Sequence, residues 1–261
     1  LLNHWLNRKM NTDWIDYHIT AGEIVTKRLL SAVPQVENKV KSIYFPADCS
    51  KIKQNPVKNF RKEFEIQENS TVLSVVGRIR AVKGQRILLQ SFSELLSEFP
   101  DLILLIPYRD TSENEPEMTA LRKDINRLIL NDSVRLIPER EDILQIMKFS
   151  GLGIVSSVDS EVICRVAMEF FSVGTPVVAL PTGCLPEIIK HGQNGMLAKN
   201  KTSEALVIEI RNVLSNSELL DRISHGARRD AQVRFNPDIM LNKTLEVFDS
   251  ALSSYSEQDL K

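Results

Sequence analysis

Cysteine is scarce and odd in number: Cys49, Cys164 and Cys184 are the only three in 261 residues. None stands in C-x-x-C spacing, so a disulfide framework is excluded and a reducing compartment is expected. Histidine is equally sparse, and His4, His18, His191 and His225 are too scattered to suggest a metal site. No apolar run approaches the roughly 18 residues that a membrane span needs. The longest, Leu102 to Ile106 and Pro176 to Leu180, are strand-sized. Charge of one sign is also missing: the formal net charge is −1, which argues against a dedicated nucleic-acid binder. With 43% hydrophobic and 26% charged residues, disordered, collagenous and low-complexity classes drop out. The chain starts at Leu1, without a Met or a signal-peptide pattern. It is expected to be part of a longer protein, and its length suits one large domain or one and a half ordinary ones.

What is present is alternation. Strands are predicted at Thr71 to Val76, Leu102 to Ile106, Val134 to Ile137, Leu152 to Ser156, Pro176 to Leu180 and Gly195 to Ala198. Between them lie helical stretches. Leu88, Phe92, Leu95, Leu96 and Phe99 share one helical face before Pro100. Glu115 to Leu130, Glu141 to Phe149 and Arg165 to Val173 follow, the last with Gly174 as its stop, and then the short Pro186 to Lys190. Helices continue from about Leu206 to residue 254. Short strands apolar on both faces, separated by helices, predict an α/β fold: a doubly wound, Rossmann-like parallel sheet. Residues 1–39 differ, with a helix at Leu1 to Met10, a strand at Ile15 to Thr20 and a helix at Glu23 to Leu30 before Pro34. They are too short to close a core and read as the tail of a preceding domain. The main domain is expected over residues 40–236.

Such a sheet binds ligands beyond the carboxyl ends of its strands. Two loops there carry chemistry. Gly77-Arg78-Ile79-Arg80-Ala81-Val82-Lys83-Gly84 places two glycines and several cations before a helix start. Backbone N–H groups and the helix dipole favour an anion there, and Arg78 with Lys83 complements a diphosphate. The spacing is not that of a Walker A loop. Both side chains are expected to face solvent. The second loop, Ser156 to Glu161, ends in a carboxylate, and Glu169 stands among apolar neighbours in the following helix. Carboxylates are good acceptors for sugar hydroxyls. Gly151-Leu152-Gly153 precedes a strand, so it is not a dinucleotide fingerprint.

Taken in order, these motifs resemble the group 1 (family 4) glycosyltransferases. The set comprises Gly77-Arg78 with Lys83-Gly84, Glu161 with Glu169, Gly174-Thr175-Pro176-Val177-Val178-Ala179, Gly183 with Pro186-Glu187-Ile188-Ile189, and Gly192-Gln193-Asn194-Gly195. The resemblance covers about residues 14–254 and matches the carboxy-terminal, donor-binding half of a GT-B fold. It implies a retaining enzyme that needs no metal or cofactor beyond a UDP- or GDP-sugar co-substrate, with a glycan or lipid-linked acceptor. It implies that Gly77, Arg78 and Lys83 hold the diphosphate and that Glu161 binds the sugar. Backbone N–H groups around Ile163, Cys164 and Arg165 would touch sugar and phosphate, and Glu169 the ribose. Most of the amino-terminal acceptor domain would be absent from this chain, and the helix within residues 237–261 would pack back toward it. A cytoplasmic enzyme of polysaccharide biosynthesis is implied, with peripheral association of the full-length protein at the inner face of the membrane, and no nucleic-acid partner.

This sequence departs from the family at two places. Glu161 is followed by Val162-Ile163-Cys164 where Gly-x-Gly is usual, and Cys184 follows Gly183 where a second glycine is common. Val162 and Cys164 are expected to narrow the sugar pocket. Two alternatives stand beside the transferase: a non-catalytic, degenerate domain used for binding, and a GT-B nucleotide-sugar epimerase.

Overall fold

A computed structural model describes residues 15–47, 59–109, 115–159 and 161–254. The expected helix at Leu1 to Met10, Cys49 and Ser160 lie outside them.

The first described elements form a small unit. Strand β1 (His18–Thr20), helix α1 (Glu23–Ala32) and strand β2 (Val40–Ser42) follow in order, and β1 pairs with β2 in parallel. The strand expected over Ile15 to Thr20 is thus confined to its last three residues. Pro34 does not end the structure. It starts a 3-10 turn, Pro34–Lys39, that leads the chain back beside β1. The division expected at residue 39 therefore falls between two partner strands. Gly22 caps α1 without a side chain, and the carboxylate of Glu187 supplies the missing acceptor. It takes the N–H groups of Glu23 at 2.8 Å and Ile24 at 2.5 Å, and the Tyr44 hydroxyl at 3.1 Å. Glu187 thereby ties the small unit to the main one.

The main unit is a six-stranded parallel sheet. Helix α2 (Phe60–Glu63) precedes β3 (Thr71–Ser74). Then come α3 (Gln85–Leu95), β4 (Leu102–Pro107), α4 (Pro116–Arg127) and β5 (Val134–Ile137). The chain crosses back through α5 (Ile143–Phe149) to β6 (Leu152–Val155), α6 (Arg165–Ser172) and β7 (Val177–Ala179). Helix α7 (Leu185–Ile188), β8 (Gly195–Leu197), α8 (Ser203–Leu214), α9 (Ser217–Arg234) and α10 (Pro237–Leu252) complete it. The spatial order is β5-β4-β3-β6-β7-β8. The doubly wound, Rossmann-like expectation holds, and the order reverses between β3 and β6.

Strand residues alternate between two apolar layers. Leu104, Ile106, Ile154 and Val178 face one side, packed with α3 and α8. Ile103 and Leu105 face the other, as do Val155, Val177 and Ala179, against α5 and α6. Every residue of β4 and β6 is buried, as strands covered by helices on both faces require. Gly153, in the middle of β6, has a packing role: a Cβ there would lie 2.7 Å from the Phe170 ring. Its absence lets α6 sit directly on the sheet. The helices stop and start where local chemistry dictates. Gly174 takes φ 81° just beyond α6, and Thr202, Asn216 and Asn236 cap α8, α9 and α10 with side-chain oxygens. Among the described residues no helix is long and apolar enough to cross a membrane.

Candidate donor site at the strand-order reversal

The loops after β3 and β6 meet where the strand order reverses, the position at which such sheets bind ligands. After β3, Ala81–Lys83 forms a 3-10 turn and Gly84 follows at φ 65° as the N-cap of α3. A Cβ at Gly84 would lie 2.0 Å from the Ser156 carbonyl oxygen, so only glycine lets the two loops touch. They are fastened by Ser156 Oγ donating to the Lys83 carbonyl at 2.9 Å and by the Val158 N–H donating to the Val82 carbonyl, also at 2.9 Å. Buried Gln85 donates from Nε2 to the Arg78 carbonyl at 2.8 Å and sets the curve of the cationic loop. At Gly77 a Cβ would meet nothing within 4 Å, so the backbone there opens onto the crevice.

The charged groups meet directly. Lys83 Nζ lies 2.5 Å from Glu161 Oε1, and Ser157 Oγ donates to the same oxygen at 2.5 Å. Glu161 is only 6% exposed. A buried carboxylate demands a counter-charge, and Lys83 supplies it. Lys83 is therefore only partly exposed and paired, where free exposure to solvent was expected. Arg78 does face solvent: it is exposed, with no ion pair among the described residues.

A second support comes from beneath. The turn between β7 and α7 carries Thr182, Gly183 and Cys184. Thr182 Oγ1 donates to the Ser157 carbonyl at 2.6 Å, and the Cys184 N–H donates to the Glu161 carbonyl at 2.7 Å. The Cys164 N–H donates to Cys184 Sγ at 3.2 Å, and the Arg165 N–H to the Ile163 carbonyl at 3.1 Å. Two of the backbone donors expected to touch a ligand are thus already engaged within the protein. Both thiols are buried. Burial pushes the Cys164 thiol well up and that of Cys184 to about 11. Cys164 lines a pocket of about 150 Å³ with Gly77, Lys83, Ser157, Glu161 and Ile163. Val162, expected to narrow it as well, is instead 41% exposed.

The crevice continues past Gly77 and Lys83 into a wider hollow of about 520 Å³. Arg165 and Glu169 form one wall, and Tyr108, Arg109, Glu139 and Ile143 are among the others. Arg165 Nη2 stands 3.5 Å from Glu169 Oε1. Burial raises the Glu169 carboxyl above its ordinary range, with Arg165 opposing. Helix α6 buries Ala167, Met168, Phe170 and Phe171 and leaves Glu169 on its open side, which is why an acid stands in an apolar run. Glu139 pairs with Arg109 at 3.0 Å. Arg140, also on this wall, is committed to Asp142 at 2.7 Å and to Glu63.

Gly77, Arg78, Lys83, Glu161, Ile163, Cys164, Arg165 and Glu169 thus all gather along one crevice. Ser157 lies in the second loop but has no role read from the sequence, while Gln85 on the narrow side, Thr182 beneath it, and Tyr108 and Glu139 on the wide side do not stand out there. A signal for the last two exists, since Tyr108 directly follows β4 and Glu139 comes just after β5, and ligands gather at the ends of all the strands. A further cavity of about 540 Å³ lies before β5, among Arg122, Asn126, Asp132 and Arg135. There the Arg135 guanidinium is consumed by backbone carbonyls, including those of Phe64 at 2.9 Å and Asp132 at 2.9 Å.

The model of the family "Glycosyl transferases group 1" matches residues 56–230, about two thirds of the chain. Spore coat protein SA of Bacillus subtilis is 26% identical over 242 residues, 88% of this chain and 64% of that protein. The D-inositol 3-phosphate glycosyltransferase of a Nocardioides species is 25% identical over 256 residues, 93% of this chain and 55% of that protein. The chain spans between about half and two thirds of the length of the first curated relatives it matches. Among solved structures, Anabaena Alr3699/HepE in complex with UDP and glucose superposes with a TM-score of 0.84 at 24% identity, over 96% of this chain and 68% of that one.

Proposed function

We propose, from the premise that the chain belongs to the group 1 glycosyltransferases, that it is the donor half of a retaining GT-B enzyme. It binds a nucleotide diphosphate sugar, a UDP or GDP sugar, for transfer to a glycan or lipid-linked acceptor. The observation that carries this reading is the meeting of Lys83 and Glu161 at the strand-order reversal, beside the open backbone of Gly77. The UDP and glucose named with the Anabaena structure support it.

In this reading the diphosphate lies along Gly77, and Arg78 and Lys83 neutralise it. As the sugar departs, negative charge grows on the leaving diphosphate, and fixed cations in a partly desolvated crevice stabilise that charge more than water can. Glu161 accepts from the sugar hydroxyls on the narrow side, and the loop through Ile163, Cys164 and Arg165 lines the sugar. Glu169 accepts from the ribose in the wide hollow, where a base has room beside Tyr108 and Ile143. The acceptor sits on an amino-terminal domain. The stripe of Leu241, Leu245, Phe248 and Leu252 on α10, each about half exposed or more, supports docking of that domain against α10. The full-length enzyme works in the cytoplasm at the inner face of the membrane.

Calorimetry of this chain with UDP, GDP and ADP tests the reading. Binding of UDP or GDP in the millimolar to micromolar range is expected, and absence of binding to all three sinks it. One observation favours a second reading, a degenerate domain that binds without catalysis: the Cys164 N–H is spent on Cys184. Nucleotide binding with no gain from any attached sugar would support that instead.

A further inference from the structure

The two oxygens of Glu161 are treated unequally. Oε1 accepts from Lys83 Nζ and from Ser157 Oγ, each at 2.5 Å, while Oε2 has no partner among the described residues. Ser157 is 2% exposed, and its place is set independently, because its carbonyl accepts Thr182 Oγ1 at 2.6 Å. The backbone at Glu161 is pinned by the Cys184 N–H at 2.7 Å. A serine hydroxyl has one proton to donate, and here it points at one acceptor. Lys83 has a competing demand. A diphosphate entering beside Gly77 draws the ammonium away from the carboxylate, because phosphate oxygens carry more charge.

We infer that Ser157 is a positioning residue for Glu161. Its hydroxyl keeps Oε1 in place when Lys83 turns to the diphosphate, so that Oε2 stays directed at the sugar. The inference deepens the proposed function and rests on it. Its consequence is a division of labour: Ser157 contributes nothing to the nucleotide and acts only on the increment in affinity that an attached sugar brings. Neither Lys83 nor the backbone around Cys164 can replace it. The first is drawn away, and the second already donates to Cys184.

The test uses the chain with UDP against UDP-glucose and UDP-N-acetylglucosamine, and GDP against GDP-mannose. The sugar increment is the ratio of the two dissociation constants in each pair. Ser157→Ala should leave UDP and GDP binding within about twofold and reduce the sugar increment roughly tenfold, the weight of one hydrogen bond to a charged group. Ser157→Thr, which keeps the hydroxyl, should restore most of it. An unchanged increment in Ser157→Ala overturns the inference. So does an equal loss for nucleotide and nucleotide sugar, which would mark a merely structural role. Thermal unfolding of Ser157→Ala, Glu161→Ala and the double variant is read alongside, without ligand. The two effects should be non-additive, and strict additivity overturns the coupling. A parent chain that binds no nucleotide at all overturns the proposed function, while the unfolding cycle still decides whether Ser157 holds Glu161.

Discussion

The backbone N–H of Cys164 points at the sulfur of Cys184, 3.2 Å away and 20 positions later in the chain. The departure at Cys184 thus bears directly on the backbone at position 164. A thiol stands where a second glycine is common, and it satisfies an N–H at the base of the loop after β6. Sulfur is a weak acceptor, so the bond itself adds little. Its main effect is to fill space and occupy a donor beneath Glu161.

These thiols should be inert in the folded protein. With burial holding Cys184 at about 11, only about one thiol in a thousand is ionised at pH 8, and the thiolate is the reactive form. Iodoacetamide at pH 8 should leave the peptides containing Cys164 and Cys184 unmodified over an hour and label both rapidly in denaturant, as read by mass spectrometry. Fast labelling in the native state would mean that the donor loop opens readily.

Lys83 and Arg78 should separate in stability although the proposed function assigns both to the diphosphate. Lys83→Ala leaves Glu161 with Ser157 as its one remaining side-chain donor among the described residues, at a cost of about 1–3 kcal/mol. Arg78→Ala, on the surface, should change stability by less than about 0.5 kcal/mol. Each should weaken nucleotide diphosphate binding by about 1.5–3 kcal/mol. Denaturant unfolding and calorimetry on the same preparations check both halves, and equal melting of the two variants would refute the buried pair.

Three glycines should rank by what their Cβ meets. At Gly183 it would lie 1.9 Å from the Glu161 carbonyl oxygen with φ at 56°, and at Gly84 it would lie 2.0 Å from that of Ser156 with φ at 65°. Alanine at either position should cost about 2 kcal/mol or more, combining backbone strain with a clash that only backbone movement relieves. Gly77→Ala carries strain from φ 154° but no clash, so it should cost less than either. Its Cβ would instead protrude toward the crevice and weaken diphosphate binding. Urea midpoints of the three variants test the order.

Glu169 should cost the fold stability at neutral pH. Burial raises its carboxyl above the ordinary value of 4.5 despite Arg165, so the unfolded chain gives up its proton more readily than the folded one. Stability is then lost as pH rises from the unfolded value through the folded one. Glu169→Gln should melt a few degrees higher than the parent at pH 7, show no such gain at pH 4, and bind nucleotide more weakly. A variant that melts lower at pH 7 would mean that the carboxylate has a stabilising partner in the fold.

Much of the architecture is legible from local pattern. The apolar runs at Leu102 and at Leu152, the Leu88-Phe92-Leu95 face and the stop at Gly174 are properties of short stretches of backbone, and each appears where the periodicity places it. The end of the predicted strand at Ile15 is not, because isolated alternation says nothing about a partner, and β1 reaches only as far as β2 can pair with it. The loops after β3 and β6 were visible because glycine, cations and carboxylates are unusual directly after buried strands.

The order of elements, the two-layered core and the residue types at two strand ends follow from local pattern. Which side chains meet follows from the assembled sheet. Lys83 and Glu161 are 78 positions apart, and they touch because β3 pairs with β6. That adjacency is chosen by how the crossovers bury both faces of the sheet, not by anything near either residue. The β6–β7 pairing set the Ser157–Glu161 loop over the 182–184 turn, and the β3–β6 pairing made a lysine expected in solvent the counter-charge of a buried carboxylate. A side chain's neighbours are set by which strands lie side by side, and a single chain's local pattern carries no term for that.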